Sequence, residues 1–295
     1  MCLARRAGCA TTIAVLAVAF LALPATSVGS TSPGTVGDMR YALDTTHVAK
    51  AGQAQEKAKD VVPRCAGQAW HISGGGAYMG GSSAKSFLST SGFGGNRKWF
   101  ASAWHVDAPR AKLTGVAVCV RNTSLVTDTS LVSVGAAPTN GQGTSACFSG
   151  SILGGGVRAI GETSDWFING TLPVDLGDMD AEPDDAWQDW MRHRAGAASS
   201  FLIDTVCGQS VSPSYRSKDG AVGASDSAKV RAKCSSGHVT GGGGLISGNV
   251  ADAHIAGSYP VDGSDNDKIP DDGWEARASN DVGGAKTLTA FAICL

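Results

Sequence analysis

The sequence predicts an all-β protein built from a pseudo-threefold repeat of disulfide-closed units. Three observations carry that prediction. The stretch "PDDAWQDWMRHRAGAASSFLIDTVC" ends one part of the chain and "PDDGWEARASNDVGGAKTLTAFAIC" ends the whole, each with Trp twenty residues before Cys. Forty glycines, 6% aromatics and frequent Val, Thr, Ser and Ala favour short strands joined by many turns. The cysteines then fall into step with the repeats.

At the N-terminus, Arg5 and Arg6 precede an apolar run from Thr12 to Leu23, followed by Pro24 and small residues. A basic start, a short apolar core and a small-residue exit describe a secretory signal peptide over residues 1–29. The run is short for a bilayer span, and no later stretch is apolar for long enough to cross one. The expectation is a secreted, extracellular protein. Residues 30–60, with "VAKAGQAQEKAKD", read as a polar lead-in, loose or weakly helical, before a single domain over 61–295. Loss of the signal removes two of the 24 Lys+Arg and none of the 26 Asp+Glu, for a net charge near −4. An acidic balance argues against nucleic acid, whose phosphates need a basic surface.

Laying Cys147 on Cys234, an offset of 87 residues, brings the two copies into register without a gap. Gly154-Gly155-Gly156 falls on Gly241-Gly242-Gly243, Pro173-Val174-Asp175 on Pro260-Val261-Asp262, and Trp187 on Trp274. A more worn first copy has Cys65, Gly74-Gly75-Gly76, and Trp99 twenty residues before Cys119. The repeats are thus 65–119, 147–207 and 234–294.

Cys2 and Cys9 leave with the signal, so six cysteines remain. An even count in an exported chain reads as disulfides, and no Cys-x-x-Cys spacing supports a zinc or redox site. Six cysteines allow fifteen pairings. The repeats select one: Cys65–Cys119, Cys147–Cys207 and Cys234–Cys294.

Each unit reads as four short strands. In the third they are His238–Thr240, Ala253–Tyr259, Trp274–Ser279 and Thr287–Cys294. Glycine weakens a strand interior, so the triglycine implies a bulge or the close approach of another backbone. A phosphate loop has no support, because no Lys-Ser/Thr and no helix follow. The connectors "VSVGAAPTNGQGTSA" and "SKDGAVGASDSAK" have room for one extra strand each. Three four-stranded units in about 235 residues suit a β-prism, three sheets around a shared core. The alternative is three loosely joined β-sandwich modules. The pattern Cys…Gly-Gly-Gly…Pro…Trp…Cys resembles a repeat found in exported, mostly uncharacterised actinobacterial proteins. In repeat count and layout the chain also resembles the vitelline membrane outer layer proteins, which implies the prism and assigns no residues.

The candidate chemistry lies between Pro and Trp. Asp175, Asp178 and Asp180 recur as Asp262, Asp265 and Asp267, and Asp184-Asp185 recurs as Asp271-Asp272. Such oxygen-rich loops have the ligand type that calcium takes. The plain alternative is a solvated acidic loop whose spacing is inherited by duplication. Trp99, Trp187 and Trp274 hold one position in every unit, which assigns them to packing. Trp166 and Trp190 do not repeat and are the candidate ligand platform beside the acidic loop of the second unit. His105 and His193 share a position that Asn280 takes in the third unit, which suggests a hydrogen bond at a strand end. No Gly-x-Ser-x-Gly and no His-Glu-x-x-His occur. The reading is a secreted, non-catalytic module for a carbohydrate or cell-envelope glycan. A structural or protective protein and an Asp-dependent hydrolase are the alternatives.

Overall fold

The computed structural model describes residues 38–48, 59–80, 86–106, 111–177, 182–248, 253–263, 269, 273–281 and 283–295. Some segments alternate buried and less buried residues, as 186–193 does, and others are buried along their whole length, as 86–93 is, and the result is strands throughout. The first repeat contributes β1 (Met39–Val48), β2 (Lys59–Val61), β3 (Trp70–Gly80), β4 (Ser86–Phe93), β5 (Trp99–His105) and β6 (Ala111–Arg121). The second contributes β7 (Leu125–Val134), β8 (Thr139–Ala146), β9 (Ser151–Ala159), β10 (Trp166–Val174), β11 (Ala186–His193) and β12 (Ser199–Gly208). The third contributes β13 (Ser214–Val222), β14 (Asp226–Ala232), β15 (Val239–Ile246), β16 (Ala253–Val261), β17 (Gly273–Asn280) and β18 (Lys286–Cys294). A single 3-10 turn, Thr163–Asp165, is the only helical element among the described residues. All of them belong to one compact unit, residues 33–295.

The strands form three six-stranded sheets rather than four-stranded ones. Each connector supplies two strands, not one: β7 and β8 before the second Cys pair, β13 and β14 before the third. The lead-in is not loose or helical where it is described. Met39–Val48 pairs along its full length with β6, from Met39↔Val120 to Val48↔Ala111. The true repeat therefore has six strands, and the domain begins before residue 61, with β1 and β2 matching the two connectors.

Sheet order shows how the repeats interlock. The orders are β1-β6-β3-β16-β17-β14, β7-β12-β9-β4-β5-β2 and β13-β18-β15-β10-β11-β8. Every repeat keeps its first, sixth and third strands in one sheet and gives its fourth, fifth and second to another. The first repeat gives to the second, the second to the third, and the third back to the first. Independent sandwich modules are excluded by this exchange, because no sheet is made by one repeat alone.

The joints explain the glycines. The third strand of one repeat meets the fourth strand of another over only one or two paired residues, such as Ser91↔Val157 and Gly257↔Tyr78. A Cβ on Gly74 would lie 2.9 Å from Gly241 Cα, one on Gly241 2.7 Å from Gly154 Cα, and one on Gly154 2.9 Å from Gly74 Cα. The three first glycines thus close a triangle of backbones with no room for a side chain. A Cβ on the second glycines, Gly75, Gly155 and Gly242, would enter the indoles of Trp99, Trp187 and Trp274. The third glycines face carbonyl oxygens of Ser258, Ser91 and Thr171 on the incoming strand. Each triglycine is the seat for two other segments, as close backbone approach in a strand requires.

Cys65–Cys119, Cys147–Cys207 and Cys234–Cys294 are bonded, with Cα separations of 5.7, 5.8 and 5.8 Å. In each pair the first Cys follows the donated second strand and the second lies in the last three residues of the retained sixth. Every disulfide therefore ties one sheet to the next. On the chain-entropy account each contributes roughly 4 kcal/mol.

Candidate functional site

The residues that repeat are structural. Trp99, Trp187 and Trp274 are fully buried. Their indole N–H groups donate to equivalent hydroxyls: Ser91 Oγ at 3.1 Å, Thr171 Oγ1 at 2.9 Å and Ser258 Oγ at 2.8 Å. The expected strand-end role of the His105/His193/Asn280 position is also present. His105 Nε2 lies 3.3 Å from Val48 O and His193 Nδ1 3.1 Å from Gly135 O, while Asn280 Nδ2 donates to Gly223 O at 2.9 Å. All three tie the fifth strand to the end of the first strand of a repeat. Surface positions where the threefold pattern breaks are therefore the place to look for a site.

One such place is a groove of about 710 Å³ lined by Tyr41, Leu43, Tyr78, Val116, Tyr259, Val261, Asp262 and Arg231 among others. It lies across the sheet β1-β6-β3-β16-β17-β14, which brings β1, β3 and β6 of the first repeat against β14, β16 and β17 of the third. Alternation decides which side chains reach it. Trp274 and Ala276 point into the core, so Glu275 and Arg277 take the opposite face of β17. Register then places Tyr259 and Arg231 on either side of Glu275. The chain has four tyrosines, and three of them converge here. Tyr78 and Tyr259 lie with ring centroids 4.2 Å apart, and Leu43 stands 63% exposed at the rim.

Below the rings is a polar network. Tyr259 donates its hydroxyl to Glu275 Oε1. Arg277 Nε donates to the same oxygen at 2.9 Å, and an Arg231 amino group donates to Oε2 at 3.3 Å. The Arg277 guanidinium also lies over both rings, 5.4 Å from the Tyr78 centroid and 5.0 Å from that of Tyr259. Burial alone would raise the Glu275 carboxyl. The hydrogen bonds from Tyr259 and Arg277, with the charges of Arg277 and Lys229, outweigh it and hold the group below its ordinary range. Burial, with the adjoining Glu275, pushes the Tyr259 phenol up, so it stays a protonated donor.

Equivalent positions in the other two sheets carry different chemistry. By register, Tyr78, Val116 and Leu43 correspond to Arg158, Asp204 and Thr129. There Arg158 clamps Asp204 with bonds of 2.6 and 2.9 Å, and Thr129 Oγ1 donates to Asp204 at 2.9 Å. In the remaining sheet, Leu245, Phe291 and Leu172 stand where Tyr78, Val116 and Tyr259 stand. The tyrosine groove is a property of one sheet and not a by-product of the fold.

Of the sequence-derived candidates, Trp166 is displaced from any ligand role. It is fully buried, stacked on His193 at 4.4 Å and edge-on to Phe201 at 5.9 Å. It pairs with His193, at the opposite end of the β10–β11 hairpin from the acidic loop, which follows Val174. A non-repeated Trp at the start of a strand had no local mark of burial. Trp190 is half-buried on the surface of β11, its Nε1 donating to Gln188 Oε1 at 2.8 Å. It occupies the position of Arg277, but Trp166 does not join it.

Asp178, Asp180, Asp265, Asp267, Asp271 and Asp272 lie outside the described residues. Asp175 Oδ1 accepts from Gly177 N at 2.6 Å and Asp185 Oδ2 from Leu176 N at 2.8 Å, so these two carboxylates brace their own loop. Asp262 borders the tyrosine groove. Among the described residues no three His, Cys, Asp or Glu side chains are grouped so as to hold a metal ion. Nor is any helix among them long and apolar enough to cross a membrane.

The groove residues carry no repeated spacing, so a search for repeated chemistry passes over them. Their one local signal is the scarcity of tyrosine, with Tyr78 two residues after a triglycine and Tyr259 beside the Pro260-Val261-Asp262 motif. No protein-family model matches the chain, and no curated protein matches it.

Proposed function

We propose that this protein is a secreted, non-catalytic binding protein that holds a carbohydrate or cell-envelope glycan in the tyrosine groove. The observation that carries the reading is the convergence, from two repeats onto one groove, of the half-buried Tyr41 and Tyr78 with the buried Tyr259 packed on Tyr78. Aromatic rings with a polar edge are platforms for the apolar face of a sugar, and the Glu275 network holds these rings in place. The same network speaks against Glu275 as the general acid of a hydrolase. A general acid needs a raised pKa, and Glu275 is held ionised by three donors. Export is part of the proposal, supported by the signal-like N-terminus and three disulfides. So is the resemblance to exported actinobacterial repeat proteins.

The test is sedimentation of residues 30–295 with insoluble polysaccharides and peptidoglycan, with calcium or with EDTA. Retention that Tyr78→Ala weakens at least about tenfold, with no product released, supports the reading. Retention unchanged in Tyr78→Ala removes the groove. No retention on any surface leaves the structural, protective role, which the interlocked repeats also suit. Retention lost in EDTA brings calcium and the acidic loops into the site.

A further inference from the structure

We infer that the groove selects an acidic polysaccharide, one whose sugars carry uronic-acid carboxylates. The inference rests on the groove being a glycan site and concerns what the site offers its ligand. Glu275 offers almost nothing, being 3% exposed with donors on both oxygens. Its partners are the groups still within reach, since the side chains of Arg231 and Arg277 remain 37% and 32% exposed. Each guanidinium has five N–H donors, and each spends one on Glu275. Among the described residues, Glu275 is the carboxylate that both guanidiniums bond. Among the described residues, two guanidinium charges and the exposed Lys229 surround the carboxylate of Glu275, and Asp262 also lines the groove.

The described charges nearest Glu275 on β14 and β17 are therefore two guanidiniums and one ammonium against one carboxylate, and their chemistry is that of donors. A neutral sugar hydroxyl would satisfy those donors weakly. A planar carboxylate satisfies a guanidinium fork with two parallel charge-assisted bonds. Asp262, just after β16, borders the same groove and is the wrong sign for an anion. That places the carboxylate of the ligand toward Arg231 and the apolar sugar face over the half-buried Tyr78, whose ring packs on the buried Tyr259. Bound glutamate, rigid tyrosines and Arg277 lying over both rings form the built part of the site. Arg231, on the edge strand β14, is the selecting residue.

The experiment compares oligogalacturonate with its fully methyl-esterified form, which keeps the backbone and removes the charge. Binding of fluorescent oligomers to residues 30–295 is read by anisotropy, with neutral xylan and chitin oligomers and dextran sulfate as further probes. The expected result is at least about tenfold tighter binding of the acid than of the ester, a preference that Arg231→Gln abolishes while binding of the ester is kept. Tyr78→Ala weakens both forms. Equal binding of acid and ester overturns the inference and leaves the groove reading standing. Equal binding of dextran sulfate also overturns it, by reducing the effect to unspecific charge. Tyr78-dependent binding to the neutral oligomers alone gives a glycan site of the opposite selectivity. If no oligomer binds, or binding ignores Tyr78, both the inference and the groove reading fall.

Discussion

Asp189 is fully buried on β11 between Trp187 and Met191, and neither carboxyl oxygen reaches a hydrogen-bond partner. Burial pushes its pKa well above the carboxylate range; nearby Thr171 and Trp187 oppose this and Asp204 adds to it. The other two repeats place Ala101 and Ala276 at this position, both buried. A raised folded pKa means that the native state holds a proton the unfolded chain releases. Stability therefore falls as pH rises from the unfolded value of about 4 toward the folded one. Asp189→Ala should stabilise the protein at pH 7 by about 1–3 kcal/mol, with a gain that shrinks toward pH 4. Thermal unfolding across that range checks it, and a loss of stability at pH 7 would sink the idea. His254 is the opposite case. It stacks 3.9 Å from Phe87 and edge-on to Phe167 at 5.9 Å, and the strand registers make these three residues equivalent. Burial, with weak compensation from the Ser86 backbone, lowers its pKa to about 3. Its folded pKa is depressed, so its contribution is intact above pH 6.5 and is lost as pH falls toward 3. His254→Phe should remove that loss, by up to about 1.4 kcal/mol per pH unit. A stability gap between variant and parent that fails to widen below pH 6 contradicts it.

At the scale of elements, the strands and their staples were legible in the sequence because their marks are local. Predicted strands such as Ala253–Tyr259 and Trp274–Ser279 lie inside β16 and β17, and all three disulfides pair within repeats, as the repeat alignment selected. The triglycine also announced a close backbone, although not whose. Partner choice is what the sequence leaves out. Whether the β4–β5 hairpin joins β3 or β9 depends on side chains a whole repeat away. The groove is hidden for the same reason, since Tyr78 and Tyr259 are 181 residues apart and meet only through that choice. The triglycine gives a sharp test. A Cβ on Gly154 would sit 2.4 Å from Ser73 O and 2.9 Å from Gly74 Cα, both backbone, which cannot rotate away. Gly154→Ala should cost at least about 3 kcal/mol or abolish folding. Gly283→Ala, with nothing within 4 Å, should be near neutral in the same urea titration. Equal midpoints for the two variants would show that the central contact is looser than described.

The whole molecule is a ring of loans. Because each repeat gives three strands away and receives three, its stability is not the sum of three units. Closure is made by the third repeat returning β16, β17 and β14 to the sheet of the first, through Gly257↔Tyr78 and Ser258↔Ala77. A single repeat has both kinds of surface and no way to satisfy them within one chain. Its retained strands β7, β12 and β9 need a donated hairpin, and its own β8, β10 and β11 need an acceptor. Closed head-to-tail exchange is the symmetric solution open to such a unit, and three copies reproduce the geometry of the full chain. Residues 122–208 expressed alone under oxidising conditions should therefore assemble into a trimer, with Gly154 of each copy meeting at the axis. Sedimentation equilibrium reads the mass, and thermal unfolding should shift to higher temperature with protein concentration as association requires. A folded monomer, with Tm independent of concentration, would mean that one repeat can close on itself. The exchange between repeats would then be a consequence of covalent linkage and not the source of the fold.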